Sequence, residues 1–274
     1  MTDHEVAAAT FASELTLATC PESVVDEAAV LAADTLGAIV GGVPLEPVAT
    51  LASTVAERHQ GSAAIHGTSL TATPGQAAFV DGVGGSVLEL NAGHKHAAGH
   101  PVVQLFPALL TDAATRDVDG EQFLTAMIAA YEVCVRAARA SRPLKDAYLP
   151  HGVWGTVGAV AGLARLRSYD VQTTLQAMRI GANFAQHTRF EAPGNGVTGV
   201  RNGSVGMSNL AAFTAADLAE CGFIGLEDGV AAHLGMTSDG PFRSGVLADR
   251  LGEHWEIERG YYKCHATGRL AHPA

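Results

Sequence analysis

The sequence predicts an all-α fold with one small β-hairpin, and three observations carry that reading. Apolar residues make up 47% of the 274 and aromatics only 6%, so small aliphatic side chains must fill the core, which suits closely packed helices better than a β-sandwich. Apolar residues recur at helical spacing through most of the chain. Many of the 31 glycines fall inside those periodic stretches, where each costs about 1 kcal/mol relative to alanine. Close helix–helix contact is the plain reason to keep them; access for a ligand beside the backbone is the sharper one.

The elements follow in order. Glu5 to Thr16 reads as a short amphipathic helix. Pro21 and Ser23 start the next, which runs through Val24, Ala28, Leu31, Leu36 and Ile39 until Gly41-Gly42 stops it. Pro47 to His59 is a third. Ala63 to Leu70 mixes β-branched residues with turn formers and reads as the hairpin. Helical spacing then resumes over Pro74–Leu90, Val102–Ala114, Gly120–Ala140, Gly152–Arg167, Val171–Ala185 and Val205–Ala219. Asp119-Gly120 and Ser168-Tyr169-Asp170 separate consecutive helices, with Asp170 placed to cap the one after it. Glu227–Leu234 and Val246–Trp255 are predicted as weaker helices. No Pro/Ser-rich linker or solenoid repeat interrupts the chain, so residues 1–274 read as one domain.

Charge and cysteine usage exclude several functions. Lys+Arg 17 against Asp+Glu 28 gives −11, which argues against nucleic acid and anionic membranes as partners. Cys20, Cys134, Cys221 and Cys264 form no CxxC pair, so zinc-finger and thioredoxin readings have no support. The polar N-terminus is unlike a signal peptide, and no apolar run is long enough to span a membrane. The expected location is the cytoplasm.

Four polar islands could hold chemistry. The first, Glu89-Leu90-Asn91-Ala92-Gly93-His94-Lys95-His96-Ala97-Ala98-Gly99-His100-Pro101, puts three histidines and a lysine within seven residues. Histidine titrates near neutrality and serves as acid, base or metal ligand, so an acid–base or substrate loop, a metal site and a solvated polar loop all stay open. Pro101 would fix His100 at a helix start, beside an anion-friendly dipole. The second is Tyr148 to Thr156, where His151 precedes a glycine-bearing apolar helix; an N-cap packed for structural reasons is the bland alternative. The third, Asn195 to Gly206, is a Gly-rich stretch whose Arg201 suits a carboxylate or phosphate, though it is not a Walker A motif. The fourth, Tyr261 to His272, crowds two cations, two histidines and two tyrosines together. GxSxG, HExxH and the Rossmann fingerprint are absent.

Taken in order, these pieces resemble the MmgE/PrpD family, which contains 2-methylcitrate dehydratases, cis-aconitate decarboxylases and an iminodisuccinate epimerase. The similar segments are Asp34-Thr35-Leu36-Gly37-Ala38, Asp81-Gly82 through His100-Pro101, Ala129-Ala130-Tyr131-Glu132-Val133, His151-Gly152 with Thr156, Arg201 with Gly206 and Ala211-Ala212, and Tyr262-Lys263 with Arg269 and His272. Together they cover nearly the whole chain. The resemblance implies a large helical domain, a smaller C-terminal α+β lid and a homodimer. The sequence stops at His272-Pro273-Ala274, about where the family's lid begins, so the lid is expected on a second chain, or lost, or cut off by a truncated gene.

The resemblance also implies site roles. His100, His151 and Lys263 keep the family's catalytic residue types, while Glu89, Asn91, Arg201, Tyr262, Arg269 and His272 fall at substrate-binding positions. Arg201 stands where the family often has lysine. The family's Asp-x-Asp-Asp-Thr is here Glu89-Leu90-Asn91-Ala92-Gly93, in which Asn91 cannot act as a base at neutral pH. The function expected is a lyase that dehydrates or decarboxylates a small polycarboxylate by acid–base chemistry, with no metal or organic cofactor. It is expected as a homodimer or as one subunit beside a lid chain. The alternatives are an epimerase using the same groups, or a non-catalytic scaffold subunit. The expected geometry is one cleft lined by His100, His151, Arg201 and Lys263, with Lys263 an exposed cation at its edge.

Overall fold

The longest buried helix begins where Asp119-Gly120 predicts a break. Asp119 accepts the backbone N–H of Gln122 at 2.8 Å and Gln122 Oε1 accepts the N–H of Asp119 at 3.3 Å, a reciprocal cap that starts the helix sharply. This computed structural model describes residues 3–144, 148–149, 151–186, 188–189 and 196–272. Within them the helices are α1 (Asp3–Glu14), α2 (Glu22–Gly42), α3 (Val48–Arg58), α4 (Pro74–Val87), α5 (Phe106–Arg116), α6 (Gly120–Ala140), α7 (His151–Leu166), α8 (Val171–Phe184), α9 (Val200–Glu220) and α10 (Gly229–Gly235). The fold is all-α, as predicted.

The helices form layers around a central pair. From Thr125 to Ala138 every residue of α6 is buried, and α6 packs along α7; α7 also meets α8 and α9, and α4 lies between α9 and α2. Alanine and glycine set the spacing. A Cβ on Gly206 would sit 2.5 Å from the Phe79 carbonyl, and one on Gly82 3.0 Å from the Gly206 Cα, so α4 and α9 touch backbone to backbone. Asp170 caps α8 through the Thr173 N–H at 2.7 Å, as its position predicts.

Three differences from the sequence reading matter. First, α9 starts at Val200 and not at Val205. Glycine does not stop it, because Gly203 faces open space and Gly206 is the contact with Phe79. Second, strand pairing is wider than one hairpin. β1 (Ala63–Ala64) pairs with β2 (Thr71–Ala72), β3 (Gly93–His94) with β6 (Gly260–Tyr261), and β4 (Tyr148–Leu149) with β5 (Thr188–Arg189), all antiparallel.

Third, Val246–Trp255 is not a helix. A short 3₁₀ turn at Ser244–Ala248 gives way to turns with left-handed Arg250 and Gly252. The carbonyls of Asp249, Arg250 and His254 turn inward instead and accept from the Arg136 guanidinium at 3.0, 3.4 and 2.7 Å. Arg136 is itself fully buried against Glu132, one turn away on α6. Glu132 also accepts the backbone N–H groups of Glu256 and Ile257 at 3.0 and 2.9 Å. This ion pair fastens the strap 249–257 to the central helix. Burial tends to raise the Glu132 pKa, against Arg136 and those two amides.

Among the described residues no helix is long and apolar enough to cross a membrane.

Candidate active site

Beyond the strap, β6 adds to β3 in the register Gly93↔Tyr261 and His94↔Gly260. The pairing explains Gly93. A Cβ there would lie 2.3 Å from the Tyr261 hydroxyl, so only glycine lets the tyrosine ring lie across the strand. Two residues past β6, Lys263 then falls against the loop that leaves α4.

That loop turns at once. Glu89, two residues past the end of α4, adopts a left-handed backbone at φ 54°. It forms an ion pair with Arg201 in the first turn of α9 and accepts from Lys263 Nζ at 3.2 Å. Lys263 Nζ also donates to Asn91 Oδ1 at 3.1 Å. The Lys263 side chain is 0% exposed, whereas Arg201 is 51% exposed. Lys263 is thus a buried cation and not the exposed one its sequence position suggests, because the β3–β6 pairing draws it under the loop. Burial pushes its pKa down, Glu89 pulls it back up and Arg201 opposes that. With one carboxylate, one amide and two cations, the cluster carries one positive charge in excess.

His100 enters from the far end of the same loop. Its Nδ1 lies 3.3 Å from the Ala92 carbonyl, one residue beyond Asn91. The turn after Pro101 leads to Gln104, whose Cβ would lie 2.6 Å from a Cβ on Gly155 of α7. Gln104 also accepts from Ser208 of α9 at 2.5 Å. The start of α7 is thereby brought beside the His100 turn. His151 opens α7, but its side chain lies outside the described residues, as do Pro150 and Asn195 of the second and third islands.

The other residues with an expected site role have partners of their own. Tyr262 turns to α2 and donates to Glu27 at 2.7 Å. Arg269 stacks over the Tyr261 ring at 5.2 Å. His272 meets the His265 ring edge-on at 5.7 Å. The structure therefore joins Glu89, Asn91, Arg201 and Lys263 directly and brings the His100 ring to the carbonyl of Ala92, next to Asn91, while Tyr262, Arg269 and His272 have their contacts outside the cluster.

Sequence reasoning missed the parts that hold this shell. Glu132 stands in the family-like segment Ala129–Val133, yet the carbonyls and amides it organises with Arg136 lie more than a hundred residues away. Glu256 and His94 are both fully buried and 3.3 Å apart. Burial acts to raise the Glu256 pKa, but His94 and Arg139 together hold it down at about 2. The one local signal was the density of His94, Lys95 and His96 in a loop.

A groove of about 580 Å³ lies elsewhere, lined by Pro74, Arg116, Arg167, Phe213 and Asp217 among others. It sits at the N-terminal end of α4, whereas Glu89 follows the C-terminal end, roughly 20 Å along a helix of that length. It is separate from the charged cluster.

Compared with known families, residues 6–238 match the MmgE/PrpD N-terminal domain. The match includes Glu89, Asn91, His100, His151 and Arg201, while Lys263 lies beyond it. No curated protein matches the chain.

Proposed function

The chain belongs to the MmgE/PrpD family, and on that premise we propose that it is a lyase acting on a small polycarboxylate by acid–base chemistry. One observation carries the reading. Segments 112 and 174 residues apart meet at a single carboxylate, Glu89, to which Arg201 and Lys263 both donate. Glu89 occupies the cations as a substrate carboxylate would, and the spare positive charge favours an incoming anion. Arg201 offers a fork of donors and Lys263 a fixed point charge at the end of a buried stem.

A substrate carboxylate that displaces Glu89 would have its adjacent carbon near His100 and the start of α7. One histidine takes the proton from that carbon, and the two cations stabilise the charge that develops on the carboxylate. The second, assigned to His151, gives a proton to the departing hydroxyl. Water leaves and a carbon–carbon double bond remains. Decarboxylation and epimerisation would use the same groups, the latter by returning the proton.

The test is a panel of 3-hydroxy di- and tricarboxylates incubated with the protein in D₂O. Deuterium appearing at the carbon beside a carboxylate reports proton removal, and ultraviolet absorbance reports the new double bond. Exchange that disappears in Lys263→Met supports the reading. A folded protein that neither binds nor exchanges any member of the panel overturns it in favour of a scaffold subunit.

A further inference from the structure

The loop between Glu89 and His100 contains two histidines that the proposed chemistry does not use, His94 and His96. His94 is completely buried. Its Nδ1 accepts the backbone N–H of Ala97 at 3.2 Å. An amide can only donate, so Nδ1 must present its lone pair and the ring proton must sit on Nε2. Nε2 faces Glu256 Oε2 at 3.3 Å. The approach is short enough for charge–dipole attraction but not aligned as a full hydrogen bond, and neither atom has another hydrogen-bond partner among the described residues.

The turn built on His94 is closed on every side. The His94 N–H donates to the Gly99 carbonyl at 2.9 Å and the Ala98 N–H to Lys95 at 3.1 Å. Arg142 donates to the Ala97 carbonyl at 2.6 Å. Ala98 takes a left-handed backbone, φ 49°, which such a tight turn requires. The next residue after Gly99 is His100, whose ring returns to Ala92. The direction of His100 therefore depends on a turn whose inner bond is made by the His94 ring.

We propose that His94, oriented by Glu256, is a positioning residue for His100, and that it fixes the 94–100 turn as a neutral imidazole protonated on Nε2. Naming His100 as the group served rests on the acid–base reading above; the state of the turn does not. A second proton, on Nδ1, would face the Ala97 N–H donor to donor and open the turn. The charged and titratable groups around the ring are Glu256, the His96 ring at 5.9 Å and the Tyr131 ring at 6.3 Å. Behind Glu256 stand Arg139 and Arg259, and Glu132 with Arg136 holds the backbone at residues 256–257 and 249–254. Attraction to Glu256 favours a proton on Nε2, the tautomer the Ala97 bond requires.

The experiment uses no substrate, so its outcome is independent of whether the lyase reading holds. Imidazole ¹⁵N spectra of the wild-type chain at neutral pH should show His94 protonated on Nε2 and bare on Nδ1; a proton on Nδ1 overturns the proposal. In His94→Leu the Ala97 amide should exchange about tenfold faster, the equivalent of one net hydrogen bond, and the His100 ring resonances should shift. His94→Asn, whose amide oxygen can occupy the Nδ1 position, should restore both readouts. A leucine variant with unchanged His100, or an asparagine variant no better than leucine, overturns the proposal. Should the leucine variant fail to fold, Glu256→Gln gives the same decision. It should shift the His94 Nε2 and His100 resonances while the Ala97 bond keeps the proton on Nε2, and an unchanged His100 spectrum overturns the positioning role.

Discussion

Replacing Lys263 by methionine separates chemistry from architecture at the centre of the site. Methionine keeps the buried stem; alanine would leave a cavity under the loop, because the lysine side chain is wholly buried. The substitution removes bonds to Glu89 at 3.2 Å and Asn91 at 3.1 Å. Bonds to a charged group are worth about 1.5–3 kcal/mol each. It also returns the desolvation cost of a buried ammonium, several kcal/mol. Glu89 keeps Arg201 as a counter-charge, so no orphan carboxylate remains. The two sides nearly cancel, and the net change in stability at neutral pH should be within about 1 kcal/mol, some 2–4 °C in Tm for a chain of this size. Catalysis should fall by at least ~10²-fold, as when a preorganised charge donor is lost.

The pH dependence supplies a sharper check on the same variant. Burial lowers the Lys263 pKa in the folded chain below its ordinary 10.5. Between the lowered value and 10.5 the unfolded chain binds the proton and the folded chain does not, so this group adds stability as pH rises through that window. Methionine cannot titrate. Urea unfolding between pH 7 and 10.5 should therefore show the wild type gaining stability relative to Lys263→Met. Parallel pH profiles, or a methionine variant with undiminished turnover, would refute the burial argument and the catalytic assignment respectively.

Three further outcomes are expected. Glu89→Gln removes the internal carboxylate, and isothermal titration should show citrate binding at least about tenfold tighter, one charge-assisted bond's worth; unchanged or weaker binding would mean that Glu89 is not displaced. Glu132→Ala leaves Arg136 buried without its counter-charge and should cost about 3–5 kcal/mol by denaturant unfolding, with a loss below 1 kcal/mol contradicting the anchoring role. Gly206→Ala forces a methyl to within 2.5 Å of the Phe79 carbonyl and should cost about 1–3 kcal/mol. Gly203→Ala, where a Cβ meets open space, should be neutral or gain up to about 1 kcal/mol; equal effects at the two glycines would refute the backbone contact between α4 and α9.

What the sequence made legible was local. Asp170 capped the helix it preceded, and the periodic stretches became helices, because both depend on neighbours a turn away. Val246–Trp255 failed for the opposite reason. Val246, Leu247, Leu251 and Trp255 imitate a helical stripe, but Arg136, more than a hundred residues earlier, takes the carbonyls that a helix would use internally. The burial of Lys263 was likewise invisible, since it follows from a two-residue strand pairing between distant segments. The family resemblance put Glu89, Asn91, Arg201 and Lys263 among the expected site residues, whereas nothing in one dimension shows what Glu132, Glu256 and His94 hold.

The wide sequence separation within the charged cluster has a consequence for the order in which the protein forms. Bonds spanning 112 and 174 residues close very large loops, and a few polar contacts cannot offset that ordering entropy unaided. They form only after the helical layers have brought their ends together, and contacts of such high order come late in folding. On the proposed reading, binding of a polycarboxylate should therefore appear in refolding no earlier than the helical signal, once the layers that carry Glu89, Arg201 and Lys263 are in place.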